Sequence, residues 1–283
     1  MYALGAAIAF YLGFDVDWGA YGWGQTIVTL TQLMVHYAND YFDLDADLKN
    51  VTPIRWSGGS RVLAEGHIPP RVAFVTAVVL GSTAVILTLL LTLIRRPHPL
   101  VLAIILPAIG LAWAYSAPPF RLHWRGLGEV SATLIVAVLT PLAGFYLQTG
   151  QLSLMPFLAV TPLCLLQFNM LVSVAVPDAD SDNLAGKRTL AVRLGHKTMS
   201  RLYVALLVAA YALLPLLIWA GLPSTAATVC ALTLPLAAYQ GWWAWHDLWS
   251  DPARWNSIAF LSIALLMGTA ILELIAFVGL ALR

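Results

Sequence analysis

A chain of 283 residues with 60% hydrophobic and only 10% charged side chains, and with strongly positive mean hydropathy, is not an ordinary soluble domain. It reads as an integral membrane protein forming a single transmembrane domain over residues 1–283, with the lipid bilayer as its surroundings. The formal net charge of +1 rules out nothing by its size, and no nucleic-acid partner is expected; but half of the 14 acids fall in two short stretches, Asp40, Asp43, Asp45, Asp47 and Asp178, Asp180, Asp182.

Nine apolar runs follow one another between breakers, most of them near the roughly 17 to 25 residues that cross a bilayer. They cover about Tyr2 to Phe14, Tyr21 to Asn39, Arg71 to Ile94, Leu100 to Ser116, Leu127 to Gln148, Leu154 to Val176, Arg201 to Gly221, Ser224 to Trp245 and Asn256 to Leu282. The first is short, and without a basic segment before it Met1 to Gly13 does not read as a cleavable signal peptide. Cys164 and Cys230 each sit inside an apolar run and imply no disulfide. Trp242, Trp243, Trp245 and Trp249 read as an interfacial aromatic belt.

Lys and Arg collect in cytoplasmic loops of membrane proteins. If the loops alternate sides, those after the second, fourth, sixth and eighth runs carry 12 of the 15 basic residues, leaving only Arg95, Arg96 and Arg283 opposite. Both aspartate clusters then face the cytoplasm of a multi-pass cell-membrane protein, with the N-terminus inside and the C-terminus outside.

The first cluster, Asn39-Asp-Tyr-Phe-Asp-Leu-Asp-Ala-Asp47, puts four carboxylates at the end of an apolar run. Burial near hydrocarbon disfavours an ionised carboxylate unless it is paired, hydrogen-bonded or bound to a cation. On a helix Asp40, Asp43 and Asp47 share one face with Asn39 beside them, whereas Asp45 lies about 140° from Asp40. Carboxylates and an amide oxygen are hard ligands suited to Mg²⁺. The second cluster repeats the device: Asp178 and Asp182 are one helical turn apart, Asp180 points elsewhere, and Pro177 breaks the helix just before them.

Each cluster is followed by a basic loop containing glycine: Arg55 and Arg61 after the first, Lys187 and Arg188 after the second. Acid, metal and base together describe a diphosphate site, in which Mg²⁺ bridges carboxylates to phosphate oxygens and Lys or Arg neutralises the departing group. Gly58 and Gly59, flanked by Ser57 and Ser60, are candidates for backbone N–H contacts to the same anion. A single acidic helix end ordinarily marks the water boundary; two, matched in spacing and side, point to a site.

These residues resemble the UbiA superfamily of membrane prenyltransferases over nearly the whole chain. The signature N-D-x-x-D-x-x-x-D is matched by Asn39, Asp40, Asp43 and Asp47, and D-x-x-x-D by Asp178 and Asp182. The stretches Ala185-Gly-Lys-Arg-Thr-Leu-Ala-Val-Arg-Leu-Gly195, Tyr115-Ser-Ala-Pro-Pro-Phe120 and Arg125-Gly-Leu-Gly-Glu129 are similar to the subgroup that prenylates 1,4-dihydroxy-2-naphthoate in menaquinone synthesis. The resemblance implies an all-α bundle of nine helices around a central cavity and an Mg²⁺-dependent prenyltransferase that ionises a polyprenyl diphosphate for attack by an aromatic acceptor. It implies Asp40, Asp43, Asp47, Asp178 and Asp182 as metal ligands, the catalytic work resting on Asp40, Asp43, Asp178 and Asp182. Asn39, Arg61, Lys187 and Arg188 are the implied diphosphate-binding residues.

Two departures stand out. The subgroup usually carries an asparagine pair and an arginine before its second motif, where this chain reads Ser173-Val-Ala-Val-Pro177, and it usually has a basic segment before its first helix. Asn169 is either a substitute polar group or a packing amide; Gln32 and His36 either touch the acceptor or join helices; Tyr115 and Tyr146 either line the isoprenoid path or pack. Glu273, alone in the last run, is expected to pair with another helix or lie near the interface rather than act in catalysis. The competing functions are a prenyltransferase with another acceptor, such as 4-hydroxybenzoate, homogentisate or a glycerol phosphate lipid, and a transporter of divalent cations or anions.

Overall fold

The computed structural model describes residues 1–50, 53–57, 59–96, 98–246, 249 and 251–283, and among these there is no β-strand. In chain order the helices are α1 (Tyr2–Tyr11), α2 (Trp18–Phe42), α3 (Leu44–Lys49), α4 (Pro70–Ile94), α5 (Pro99–Ala114), α6 (Gly128–Thr133), α7 (Thr140–Thr149), α8 (Met155–Ala175), α9 (Ala179–Leu184), α10 (Leu190–Ala212), α11 (Leu214–Trp219), α12 (Ser224–Ala231), α13 (Leu234–Trp245) and α14 (Trp255–Ala281). Proline opens α4, α5, α8, α11 and α13 within their first two positions, where its missing N–H is no loss.

Among the described residues five stretches are long and apolar enough to cross a membrane: Pro70–Ile94, Gly128–Thr149, Met155–Ala175, Leu190–Trp219 and Pro252–Ala281. α2 is as long as α4 but less apolar, because Gln25, Gln32, His36, Asn39 and Asp40 sit along it and line the cavity described below. α4 shows the contrary pattern. Its buried stripe Ala73, Ala77, Ala84, Thr88 and Leu91 packs on α2, while Val75, Val79, Ile86 and Leu93 are exposed, as a lipid-facing surface demands.

Where the runs read as unbroken, the structure adds joints with local causes. The fifth run is α6, one π-helical stretch from Leu134 to Leu139, and α7. Pro141 has no N–H to give, and the wider turn is capped by the Thr140 hydroxyl on the Ile135 carbonyl at 2.7 Å. The helix of the seventh run, α10, begins at Leu190 rather than Arg201, with a bend at Gly195 (φ 70°). Trp249 is not part of an interfacial belt: it is fully buried, edge-on to Tyr203 at 5.5 Å, whereas Trp242 and Trp245 are exposed.

Two large apolar cores result among the described residues, with a small third cluster of Ile54, Trp255 and Ala259. One gathers α8, α10, α13 and α14; the other gathers α2, α4, α5 and α7, and α1 contributes to both. Close approach of α1 to α7 needs Gly5 and Gly144, since a Cβ at either would fall within 1.9 or 2.1 Å of a backbone oxygen on the other helix. The central cavity lies between the two cores.

Candidate active site

The cavity has a volume of about 1010 Å³. Its lower wall is apolar, with Ile27, Val28 and Val35 from α2, Ile105, Ala108 and Ile109 from α5, and Ile135, Val136, Leu139 and Ala143 beyond α6. At its polar end stand both aspartate clusters: Asp40, Asp43 and Asp47 from the first, Asp178 and Asp182 from the second. Asp45 and Asp180 are exposed and are not on the wall.

The first cluster is not one helix face. α2 ends at Phe42 and α3 starts at Leu44, so Asp43 occupies the joint (φ −101°, ψ 2°) and is turned inward until it is only 3% exposed. Asn39 donates to Asp43 at 2.7 Å and to Ser116 at 3.0 Å, and the Trp124 indole N–H donates to the other Asp43 oxygen. Lys187 joins the two clusters. Its ammonium lies 3.3 Å from Asp43 and 3.1 Å from Asp182, with 5.4 Å to the centre of the Trp124 ring. Burial works against this ammonium, but Asp43 and Asp182 outweigh it and hold it above the usual lysine value.

Loop residues complete the cap. Asn50 donates to Asp178 at 2.9 Å and Ser57 donates to the other Asp178 oxygen; Ser60 donates to Asp40 through its hydroxyl. Gly59 is at φ +71°, and a Cβ there would meet Asp47 Oδ2 at 2.4 Å, so both its backbone and its lack of a side chain are needed. Ser57 and Ser60, which flank the two glycines, act through their hydroxyls on the Asp178 and Asp40 carboxylates. Gly58 lies outside the described residues.

The basic candidates divide. Lys187 and Arg55 line the cavity; Arg61 and Arg188 do not. Arg61 donates to the carbonyls of Asp47 and Asn50, fixing the end of α3. Arg188 is exposed and its backbone N–H donates to the Trp124 carbonyl at 2.7 Å. Gln32 and His36 do face the cavity, as does Tyr115; Asn169 is buried away from it, and Tyr146 pairs with His98 at 2.8 Å. Sequence reasoning missed Asn50, His123 and Trp124, and gave Glu129 no role. Nothing local marks Asn50 and Trp124, because each acts on an aspartate far along the chain.

Among the described residues no three His, Cys, Asp or Glu side chains already converge as a metal site. The donor set nevertheless fits a hard divalent cation. Six carboxyls, Glu129 included, line the cavity against two basic side chains, Arg55 and Lys187. Burial pushes the Asp47 carboxyl up to about 7, and Asp43, Asp40 and Asp178 add to the rise while Lys187 opposes it. Asp178 and Asp40 are held by neutral donors, Asn50, Ser57 and Ser60, that a cation would replace.

The sequence profile of the UbiA prenyltransferase family matches residues 1–279. The chain belongs to that family. It is 29% identical over 175 residues to the 1,4-dihydroxy-2-naphthoate octaprenyltransferase of Mycobacterium leprae (strain TN), covering 62% of this chain and 58% of that one. It is 32% identical over 169 residues to the digeranylgeranylglyceryl phosphate synthase of Natronomonas pharaonis, covering 59% and 53%. The matched stretch thus spans little more than half the length of these relatives. The fold is that of a UbiA homologue from Archaeoglobus fulgidus solved with GPP and Mg²⁺, at TM-score 0.66 and 16% identity over 96% of this chain and 94% of that one.

Proposed function

We propose that this protein is a nine-span prenyltransferase of the cell membrane that moves a polyprenyl group from a polyprenyl diphosphate to an aromatic acceptor, 1,4-dihydroxy-2-naphthoate, with its aspartate motifs on the cytoplasmic side. One observation carries the reading: a single cavity has both aspartate motifs, bridged by Lys187, on its lining together with a wall of apolar side chains from α2, α5 and the stretch from α6 to α7. That is the shape of a substrate with a charged head and an isoprenoid tail.

Asp40, Asp43, Asp47, Asp178 and Asp182 would hold Mg²⁺, which when bound supplies positive charge to the diphosphate oxygens. Lys187 neutralises charge growing on the departing diphosphate, and its two aspartates keep it in place and charged. Asn39 and Trp124 aim Asp43. The apolar walls exclude water from the allylic cation, which would otherwise be hydrolysed. The naphthoate acceptor is supported by the M. leprae relative; the N. pharaonis relative favours a glycerol phosphate lipid as the second reading.

The test is to incubate purified protein in lipid nanodiscs with Mg²⁺, labelled octaprenyl diphosphate and each acceptor, and to identify products by mass. Prenylated, decarboxylated naphthoate is expected, and chelation by EDTA abolishes it. Diphosphate release that is absent with every acceptor rejects the reading; a product with the glycerol phosphate lipid alone selects the second.

A further inference from the structure

Glu129 is the acid in this cavity that belongs to neither aspartate motif. It is 4% exposed, it lines the cavity, and its Oε1 has no hydrogen-bond partner. A buried carboxyl oxygen left unpaired is costly, and a residue that carries one on the lining of a cavity calls for a donor from whatever fills it.

Its position says which part of the substrate pair that donor belongs to. Glu129 stands in the first turn of α6 and heads the stripe Ala132, Ile135, Val136, Leu139 and Ala143 that forms one apolar wall. It therefore sits where the charged end of the cavity gives way to the isoprenoid path. Beside it the Tyr115 and His123 rings stack at 5.0 Å and 11°, and the Gly128 backbone is pressed on His123, where a Cβ would come within 2.9 Å of the imidazole. Lys187 is already engaged with Asp43 and Asp182 and does not supply the donor. A flat aromatic surface, a lone carboxyl oxygen and the junction of head and tail together describe the seat of a hydroxylated aromatic ring.

Resting on the prenyltransferase reading above, we infer that Glu129 binds the acceptor, its carboxyl oxygen accepting the hydrogen bond of a ring hydroxyl. The bond turns the nucleophilic ring carbon toward the isoprenoid and draws the O–H proton away from the ring oxygen, which enriches the ring in electrons.

The experiment compares 1,4-dihydroxy-2-naphthoate with its two mono-O-methyl ethers, using wild type, Glu129→Leu and Glu129→Gln in nanodiscs with Mg²⁺ and octaprenyl diphosphate. A hydrogen bond to a buried charged group is worth roughly 10- to 100-fold in affinity. Wild type is expected to lose that factor in kcat/KM with at least one ether, while Glu129→Leu treats that ether and the free hydroxyl alike. Glu129→Gln, which keeps an accepting oxygen, recovers part of the discrimination. In all three the KM for octaprenyl diphosphate stays within about twofold, which separates loss of a contact from loss of the fold. Normal turnover with unchanged hydroxyl discrimination in Glu129→Leu overturns the assignment alone. Absence of product from wild type with every acceptor overturns it together with the function on which it rests.

Discussion

The two ends of α2 carry the same chemistry in different surroundings. At its C-terminal end Lys187 lies 3.3 Å from Asp43 and 3.1 Å from Asp182, with side chains only 4 to 6% exposed. At its N-terminal end Arg95 and Arg96 lie 3.3 and 3.2 Å from Asp17, with side chains 30 to 44% exposed. Asp17 also caps α2 by accepting from the Ala20 N–H at 3.0 Å, and its own N–H donates to Gln148. The wet pair ties loops together at little cost and little gain, because water screens it. The dry pair carries a large desolvation penalty that a fold needing only stability avoids by burying apolar groups instead. A buried ammonium between two carboxylates is therefore a mark of function, and the distances alone, equal at both ends, do not reveal it.

The comparison can be broken in order of expected effect. Asp43→Ala or Asp178→Ala removes a group on which the charged head depends, and turnover falls by roughly 10³-fold or more while membrane insertion persists, measured by product mass and by yield from membranes. Retained turnover in both variants sinks the mechanism. Lys187→Met leaves Asp43 and Asp182 buried without their cation, so the unfolding midpoint in EDTA drops by an amount worth about 3–5 kcal/mol, and added Mg²⁺ recovers much of it. A midpoint indifferent to Mg²⁺ in that variant argues against a cation site between the motifs. Asp17→Asn keeps the cap and loses only the screened ion pairs. It lowers stability by no more than about 1 kcal/mol and leaves turnover intact, as read from melting curves and the same assay. Asp45→Ala, on the exposed side of α3, shifts stability by less than about 0.5 kcal/mol and turnover by less than twofold.

Particular residues show why some of this was legible. Asp45 and Asp180 were expected to point away from the site, and both are exposed, because even a short helical turn fixes which neighbours share a side. The inward turn of Asp43 was not legible, since helical phase assumes an unbroken helix and the chain breaks there between α2 and α3. Arg61 and Lys187 looked alike as basic residues after an acidic motif. One spends its guanidinium on the carbonyls of α3 and the other joins the motifs. Glu273 was expected to find a partner on another helix or at the interface; it is fully buried on α14, with neither carboxyl oxygen hydrogen-bonded among the described residues.

By itself the sequence determined that the chain is apolar enough for a membrane, where most of its apolar runs begin and end within a turn or so, and that two sets of carboxylates stand at matched spacing. These are properties of composition and local period, which a bilayer and a helix impose residue by residue. Only the tertiary structure decided that Lys187 holds both sets, that Asn50 and Ser57 reach Asp178 and Trp124 reaches Asp43, and that Glu129 faces the same cavity. Apart from Lys187 with its neighbour Asp182, those meetings join residues about 80 to 144 positions apart, and their geometry comes from how the two apolar cores pack against each other, which no local period encodes.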